Sequence, residues 1–235
     1  MTSMKRIVEP EWLDTLPAHD PRAVRSRSDL HRINRLMRNQ SVLGDALDGI
    51  VRGTPSPRLV ELGAGDGTLL LRVARRHAKR WPRVALGLLD VQPVVRAETL
   101  TRYRELGWDV RVIGADVFDW LAHAEPGDAP IVVANLFMHH FEGARLQALV
   151  DGIADRAHAF VCCEPQRSRL ALTGSRLLGL IGCNDVTRHD AVASVHAGFI
   201  GEELASLWPH PEEWMLSESP ATPFGHLFTA VRRQH

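Results

Sequence analysis

The run Leu59-Val60-Glu61-Leu62-Gly63-Ala64-Gly65-Asp66-Gly67-Thr68 joins a short apolar stretch to an acidic residue and three closely spaced glycines. Glycine at 63, 65 and 67 lets the backbone turn sharply and approach a bulky ligand without Cβ clashes, and Leu69 to Ala74 then opens a helix. That is chemistry for seating a nucleotide-type cofactor. A dinucleotide fingerprint wants glycine at the sixth position of the loop, where this chain has Thr68, so the spacing argues against NAD. Asp90, at the end of the next apolar run, supplies a carboxylate able to accept hydrogen bonds from both ribose hydroxyls of an adenosine. Its other reading is a helix cap ahead of Pro93.

From Leu59 onward, runs rich in Val, Leu and Ile alternate with helical patterns, the signature of a parallel sheet covered on both faces. Strands are predicted at Leu59 to Leu62, Val84 to Asp90, Val110 to Gly114, Ile131 to Asn135 and Ala159 to Glu164. Between them Pro93 marks a first helical turn closed by Gly107, and Glu142 to His158 carries Leu146, Leu149, Val150 and Ile153 at helical spacing. Trp214 to Ser217, a turn over Pro220 to Gly225, and His226 to Arg232 read as an antiparallel strand pair. The acids Glu61, Asp90 and Asp116 fall at the carboxyl ends of strands one, two and three, the edge where open α/β sheets bind ligands. Outside this rhythm lie an Arg-rich segment over residues 10–51 and the stretch Gln166 to Phe199. In the former, Ser28 reads as the cap of a helix whose apolar face is Leu30, Ile33, Leu36 and Met37, either a solvated basic helix packed on the domain or an anionic-partner site.

Glu61 to Gly67 has the form acid-x-Gly-x-Gly-x-Gly and so resembles the first motif of class I S-adenosylmethionine-dependent methyltransferases. The resemblance covers about three quarters of the chain. It implies a Rossmann-like α/β fold: a seven-stranded, mostly parallel sheet with helices on both faces and a C-terminal antiparallel strand pair. It also implies S-adenosylmethionine as cofactor, seated by Glu61, Gly63, Ala64, Gly65, Gly67, Asp90 with Val91, Asp116 with Val117, and Asn135 with Leu136. Asp116 matches the family's partner of the adenine amino group, and equally suits a cap of the next helix. Ile131 to Phe141 resembles the fourth motif of small-molecule methyltransferases of the ubiquinone and menaquinone biosynthesis type, and the segments Pro10 to Asn39 and Asn184 to Phe199 resemble bacterial methyltransferases of secondary metabolism. The expected domains are a helical cover over residues 1–53 and a class I domain over 54–235, with 166–200 as a substrate-covering insertion.

Methyl transfer is an in-line displacement at a sulfonium methyl, so the acceptor must be aligned and a phenol, with pKa near 10, must lose its proton. His139 and His140, with ordinary pKa near 6.5, suit that task, and Glu164 at the end of strand five can orient a histidine or bind substrate. Their alternative is capping and packing. Arg188, His189 and His196 add polar groups to a cover that includes Leu177, Leu178, Leu180, Ile181 and Val192, matching a pocket for an aromatic or lipid-like acceptor. No recognised metal-ligand spacing occurs, so no metal is expected.

Lys plus Arg equals Asp plus Glu at 28 each, which gives no reason for a nucleic-acid or membrane partner, and the Asn/Asp-Pro-Pro-aromatic sequence of nucleic-acid amine methylation is absent. No apolar run approaches a membrane span and no secretory h-region opens the chain, so a cytoplasmic protein with Cys162, Cys163 and Cys183 reduced in the core is expected. Nothing excludes a homo-oligomer. The expectation is methyl transfer to a small molecule, on the oxygen of a phenolic or polyketide-like metabolite. Its competitors are a nicotinamide-dependent reductase and a non-catalytic S-adenosylmethionine-binding module.

Overall fold

The computed structural model describes residues 4–123 and 130–233. The apolar runs form β1 (Arg58–Leu62), β2 (Ala85–Asp90), β3 (Asp109–Gly114), β4 (Ile131–Asn135), β5 (Ala159–Pro165), β6 (Trp214–Pro220) and β7 (Gly225–Arg232). They build one seven-stranded sheet in the order β3-β2-β1-β4-β5-β7-β6. Pairing is parallel from β3 through β5, and β7 runs antiparallel to both β5 and β6. Strand β5 is buried along its whole length, as a strand covered on both faces requires. Cys162 and Cys163, successive on β5, point into the two separate cores on opposite faces, and all three cysteines are free.

The helices are α1 (Trp12–Thr15), α2 (Pro21–Leu36), α3 (Asn39–Gly53), α4 (Thr68–His77), α5 (Ala97–Glu105), α6 (Val117–His123), α7 (Gly143–Arg156), α8 (Arg169–Arg176) and α9 (Asp185–Ala197). The chain runs outward from β1 to β2 and β3, then returns to place β4 on the other side of β1. The connections leaving β1 and β4 therefore diverge, opening a crevice at their carboxyl ends. Helix α3 packs Leu43, Leu47 and Val51 into one core with Leu59 and Leu71. Helix α2 meets α9 through Asp29, a fully buried carboxylate that accepts from the Asn184 N–H at 2.8 Å and the Thr187 hydroxyl at 3.2 Å and is paired with Arg32.

Several local expectations are corrected. Helix α2 starts at Pro21, with Asp20 as the cap accepting from the Arg22 N–H at 2.8 Å, whereas Ser28 lies inside the helix. Proline at the first position and an aspartate before it make the stronger start. Of the expected apolar face Ile33 and Met37 are buried but Leu36 is 60% exposed, and Ala23, Ser26 and Asp29 complete the inward side. Pro93 precedes α5, which begins only at Ala97 after Arg96. Leu177, Leu180 and Ile181 face outward. Pro220 stays in β6 because that strand is a sheet edge, where a missing N–H is tolerated. Among the described residues no helix is long and apolar enough to cross a membrane. Residues 1–3 of the expected N-terminal cover lie outside the described residues.

Candidate active site

A cavity of about 480 Å³ occupies the crevice at the carboxyl ends of β1, β2 and β4. Its floor is the loop after β1. Gly63 has φ 64, and a Cβ there would stand 2.5 Å from the Phe137 ring, so glycine is needed for both conformation and contact. Gly67 does not line the cavity. Its carbonyl accepts from the Tyr103 hydroxyl at 2.8 Å and a Cβ would meet Leu88 at 2.9 Å, so this glycine seats α4 and α5 against β2.

Glu61 is 3% exposed, and its Oε2 is buried without a hydrogen-bond partner. Burial first, then the charges of Asp66 and Asp90, push its carboxyl up to about 8. Asp90 accepts from the Gly65 N–H at 2.8 Å and the Gln92 N–H at 2.7 Å, which ties the β2 end to the glycine loop. Asp116 caps α6 by accepting from the Phe118 N–H at 2.7 Å, and still lines the cavity. Ala64, Val91, Val117, Asn135 and Leu136 line it too. Asn135 belongs to a side-chain amide network in which Asn39 donates to Asn34 and Asn135, each at 2.9 Å.

The opposite wall begins where β4 ends. Leu136 adopts φ 53, a left-handed conformation costing a non-glycine residue roughly 1–2 kcal/mol. It is held there because its N–H donates to the Cys163 carbonyl at 2.9 Å and because Glu164 gathers the following amides. The Glu164 carboxylate, fully buried, accepts from the N–H groups of Phe137 and Met138 at 3.0 Å and of His139 at 3.3 Å, and stands 2.7 Å from His139 Nδ1. The other ring nitrogen of His139 is 3.2 Å from Glu11 Oε1. Burial opposes charge on this ring, but the hydrogen bonds to Glu11 and Glu164 overcome it and raise the pKa to about 9, so His139 is an imidazolium at neutral pH. His140 Nδ1 lies 3.2 Å from Asp14. Glu164 sits behind the wall and orients His139 without lining the cavity.

The roof is a strap from residue 4 to α1, continued by α2. Arg6 donates to the carbonyls of Ala197 and Phe141 at 2.8 Å and of His139 at 3.3 Å. Asp190 on α9 accepts from the Trp12 and Leu13 N–H groups at 2.8 and 3.0 Å. Glu11, Asp14, Arg27, Leu30, His31 and Asn34 thereby face the cavity, and from the 166–200 segment Ser194 does. Arg188, His189 and His196 are not brought to the wall. Arg188 is half exposed against Asp185, His189 stacks on Trp12 at 3.9 Å, and the His196 carbonyl accepts from Ile7 N–H. Glu11, Asp14, His31, Asn34 and Ser194 escaped sequence reasoning because no motif marks them; Phe137 and Phe141 sat in a quoted motif without an assigned role.

No family model and no curated protein matches the chain. Solved structures do. The plantazolicin methyltransferase BpumL, in complex with SAH, matches with TM-score 0.63 over 92% of each chain at 13% identity. An O-methyltransferase family protein from Burkholderia thailandensis matches at TM-score 0.59 and 19% identity, covering 92% of this chain and 61% of that one. The pyocyanin biosynthetic protein PhzM matches at 0.57 and 15% identity, over 95% and 62%. At these identities the likeness is one of fold, and with the strand order it defines the Rossmann-like fold of class I methyltransferases.

Proposed function

We propose that this chain transfers the methyl group of S-adenosylmethionine to a small molecule, and that the acceptor is an oxygen of a phenolic or polyketide-like metabolite. The observation that carries the reading is the continuity of the cavity. Glu61, Gly63, Gly65 and Asp90 share one space with Glu11, His139, His140 and Ser194. The residues fit the cofactor. The partnerless Glu61 oxygen suits the ligand's ammonium. Each Asp90 oxygen commits one lone pair to a backbone N–H and keeps another for a ribose hydroxyl. Asp116 commits Oδ1 to its helix cap, and its second oxygen suits the adenine amino group. Leu69, Leu89 and Val94 add apolar surface on the same side.

When bound, the cofactor supplies an activated methyl group on a positively charged sulfur; this chain's residues hold, align and shield. Phe137 and Phe141, with ring centroids 5.3 Å apart, offer apolar faces to a flat acceptor. The strap and α2 exclude water above it. His139 is not a lone base, because both nitrogens face carboxylates and the ring is already charged; the acceptor proton passes to the Glu11 carboxylate, which His139 and Ser194 hold at the cavity wall. The methyltransferase descriptions of BpumL and the Burkholderia protein support the same class of reaction. The test is S-adenosylhomocysteine release from a panel of phenolic and polyketide-like acceptors, with the new methyl located on oxygen by NMR. Binding of NADH in preference to S-adenosylmethionine would turn the reading to a reductase. Cofactor binding with no product across the panel would turn it to a binding module.

A further inference from the structure

We propose that Glu11, His139 and His140 form a site for a divalent transition-metal ion on the acceptor wall of the cavity. One ligand atom from each lies within 4.8 Å of the other two. Glu11 Oε1 stands 3.2 Å from His139 Nε2. Donors held at roughly 2.1 Å from a shared ion lie about 3.0–3.5 Å apart when adjacent, so the pair already has ligand spacing and a modest inward shift of His140 completes the set.

An independent observation supports the assignment. A metal-binding histidine characteristically gives its other ring N–H to a carboxylate that fixes tautomer and ring orientation. His139 has that partner in Glu164 Oε2, 2.7 Å from Nδ1, and the Glu164 carboxylate is itself held by three backbone N–H groups. Nε2 is thereby turned toward Glu11, and an ion entering between them displaces the proton that Nε2 carries and takes its lone pair. On the other side, Asp14 Oδ2 stands 3.2 Å from His140 Nδ1 and offers a further carboxylate. Two imidazoles and a carboxylate suit zinc and its first-row neighbours, whereas magnesium and calcium prefer all-oxygen sets. Because all three ligands line the cavity, the remaining coordination positions face the acceptor space, as in catalytic and unlike closed structural sites. The site stands on geometry alone. Its role rests on the methyl-transfer reading: an acceptor oxygen that ligates the ion gives up its proton more readily. With more than one position open, the favoured acceptor chelates through a hydroxyl beside a second oxygen. A second cluster, His210 with Glu212 and Glu213, sits on the surface and serves as the control.

The test uses the full chain, stripped with a chelator and titrated with Zn²⁺ without acceptor. One ion per chain is expected. His140→Ala and Glu11→Gln should weaken it by roughly 100-fold or more, Glu164→Gln by about 10- to 100-fold, and His210→Ala not at all. His140 is 25% exposed, so its truncation should leave the fold intact, which thermal melting checks. Co²⁺ should give visible ligand-field bands in the wild type that are lost in His140→Ala. No saturable binding, equal affinity in His140→Ala, or loss of the ion in His210→Ala would overturn the site. Acceptor-dependent S-adenosylhomocysteine release by protein that binds no Zn²⁺ would overturn it while preserving methyl transfer. One-to-one binding lost in His140→Ala would support it even if every acceptor failed.

Discussion

Glu61 gives a prediction with a sign. Its carboxyl is pushed up to about 8 by burial and by the neighbouring charges of Asp66 and Asp90, and its Oε2 has no partner. At pH 7 a group of that pKa is about 90% protonated. When the ammonium of S-adenosylmethionine settles against that oxygen, the charged carboxylate is favoured and the proton leaves. An α-amino group of pKa about 7.7–8.0 is already mostly charged at pH 7 and takes up roughly 0.1–0.2 proton on binding. Net release should therefore be about 0.7–0.8 proton per ligand. At pH 9 Glu61 is already ionised while the free amine is mostly neutral, so binding should take up about 0.8–0.9 proton, and the sign should reverse near pH 8.

The assay is calorimetric titration in buffers of different ionisation enthalpy, where the slope of observed enthalpy gives the protons exchanged. In Glu61→Gln the release at pH 7 should vanish, leaving only the small uptake by the amine. A folded wild type that releases no proton at pH 7 would refute the placement of the ammonium at Glu61. The same shift has a stability consequence. The folded pKa lies above the unfolded value of 4.5, so the favourable contribution is complete below about 4.5 and is lost as pH rises through about 8. At 1.36 kcal/mol per unit the loss is at most about 5 kcal/mol, and Glu61→Gln should flatten the fall of the melting temperature between pH 5 and 8.

Asp90→Ala should weaken S-adenosylmethionine binding by about 1.5–3 kcal/mol, because charge-assisted hydrogen bonds to ribose and the brace on Gly65 N–H are lost together; unchanged affinity in calorimetry would remove Asp90 from the site. Gly63→Ala should cost roughly 1–2 kcal/mol for the left-handed backbone and displace the Phe137 ring, read by denaturant unfolding, and wild-type stability would contradict the contact. His139→Ala should lower turnover roughly 10²-fold while leaving cofactor affinity nearly unchanged; full turnover in a folded variant would show that alignment alone suffices.

The glycine-loop side of the cavity was legible because its parts are local in sequence. A strand end, a glycine loop and an acid closing the next strand each announce themselves within a few residues, and parallel pairing then carries Glu61 and Asp90 to one edge. The opposite wall was not, because its contacts join distant segments: Glu11 meets His139 across 128 positions and Ser194 across 183. Helix phase misled as well. In α9 Ser194 faces the cavity and Asp190, one turn earlier, holds the strap, while Arg188 and His189 do not reach the cavity wall, so a histidine-rich stretch marked the wrong face. Helix α2 misled for a related reason. Its inner side meets the start of α9 and a polar cavity, so Asp29 joins Ile33 and Met37 inside while Leu36 is left outside, and the apolar stripe marks only part of the packed face. Hydrophobic patterning reports burial against a core; where a helix roofs a polar site, the residues that matter are those the pattern assigns to water.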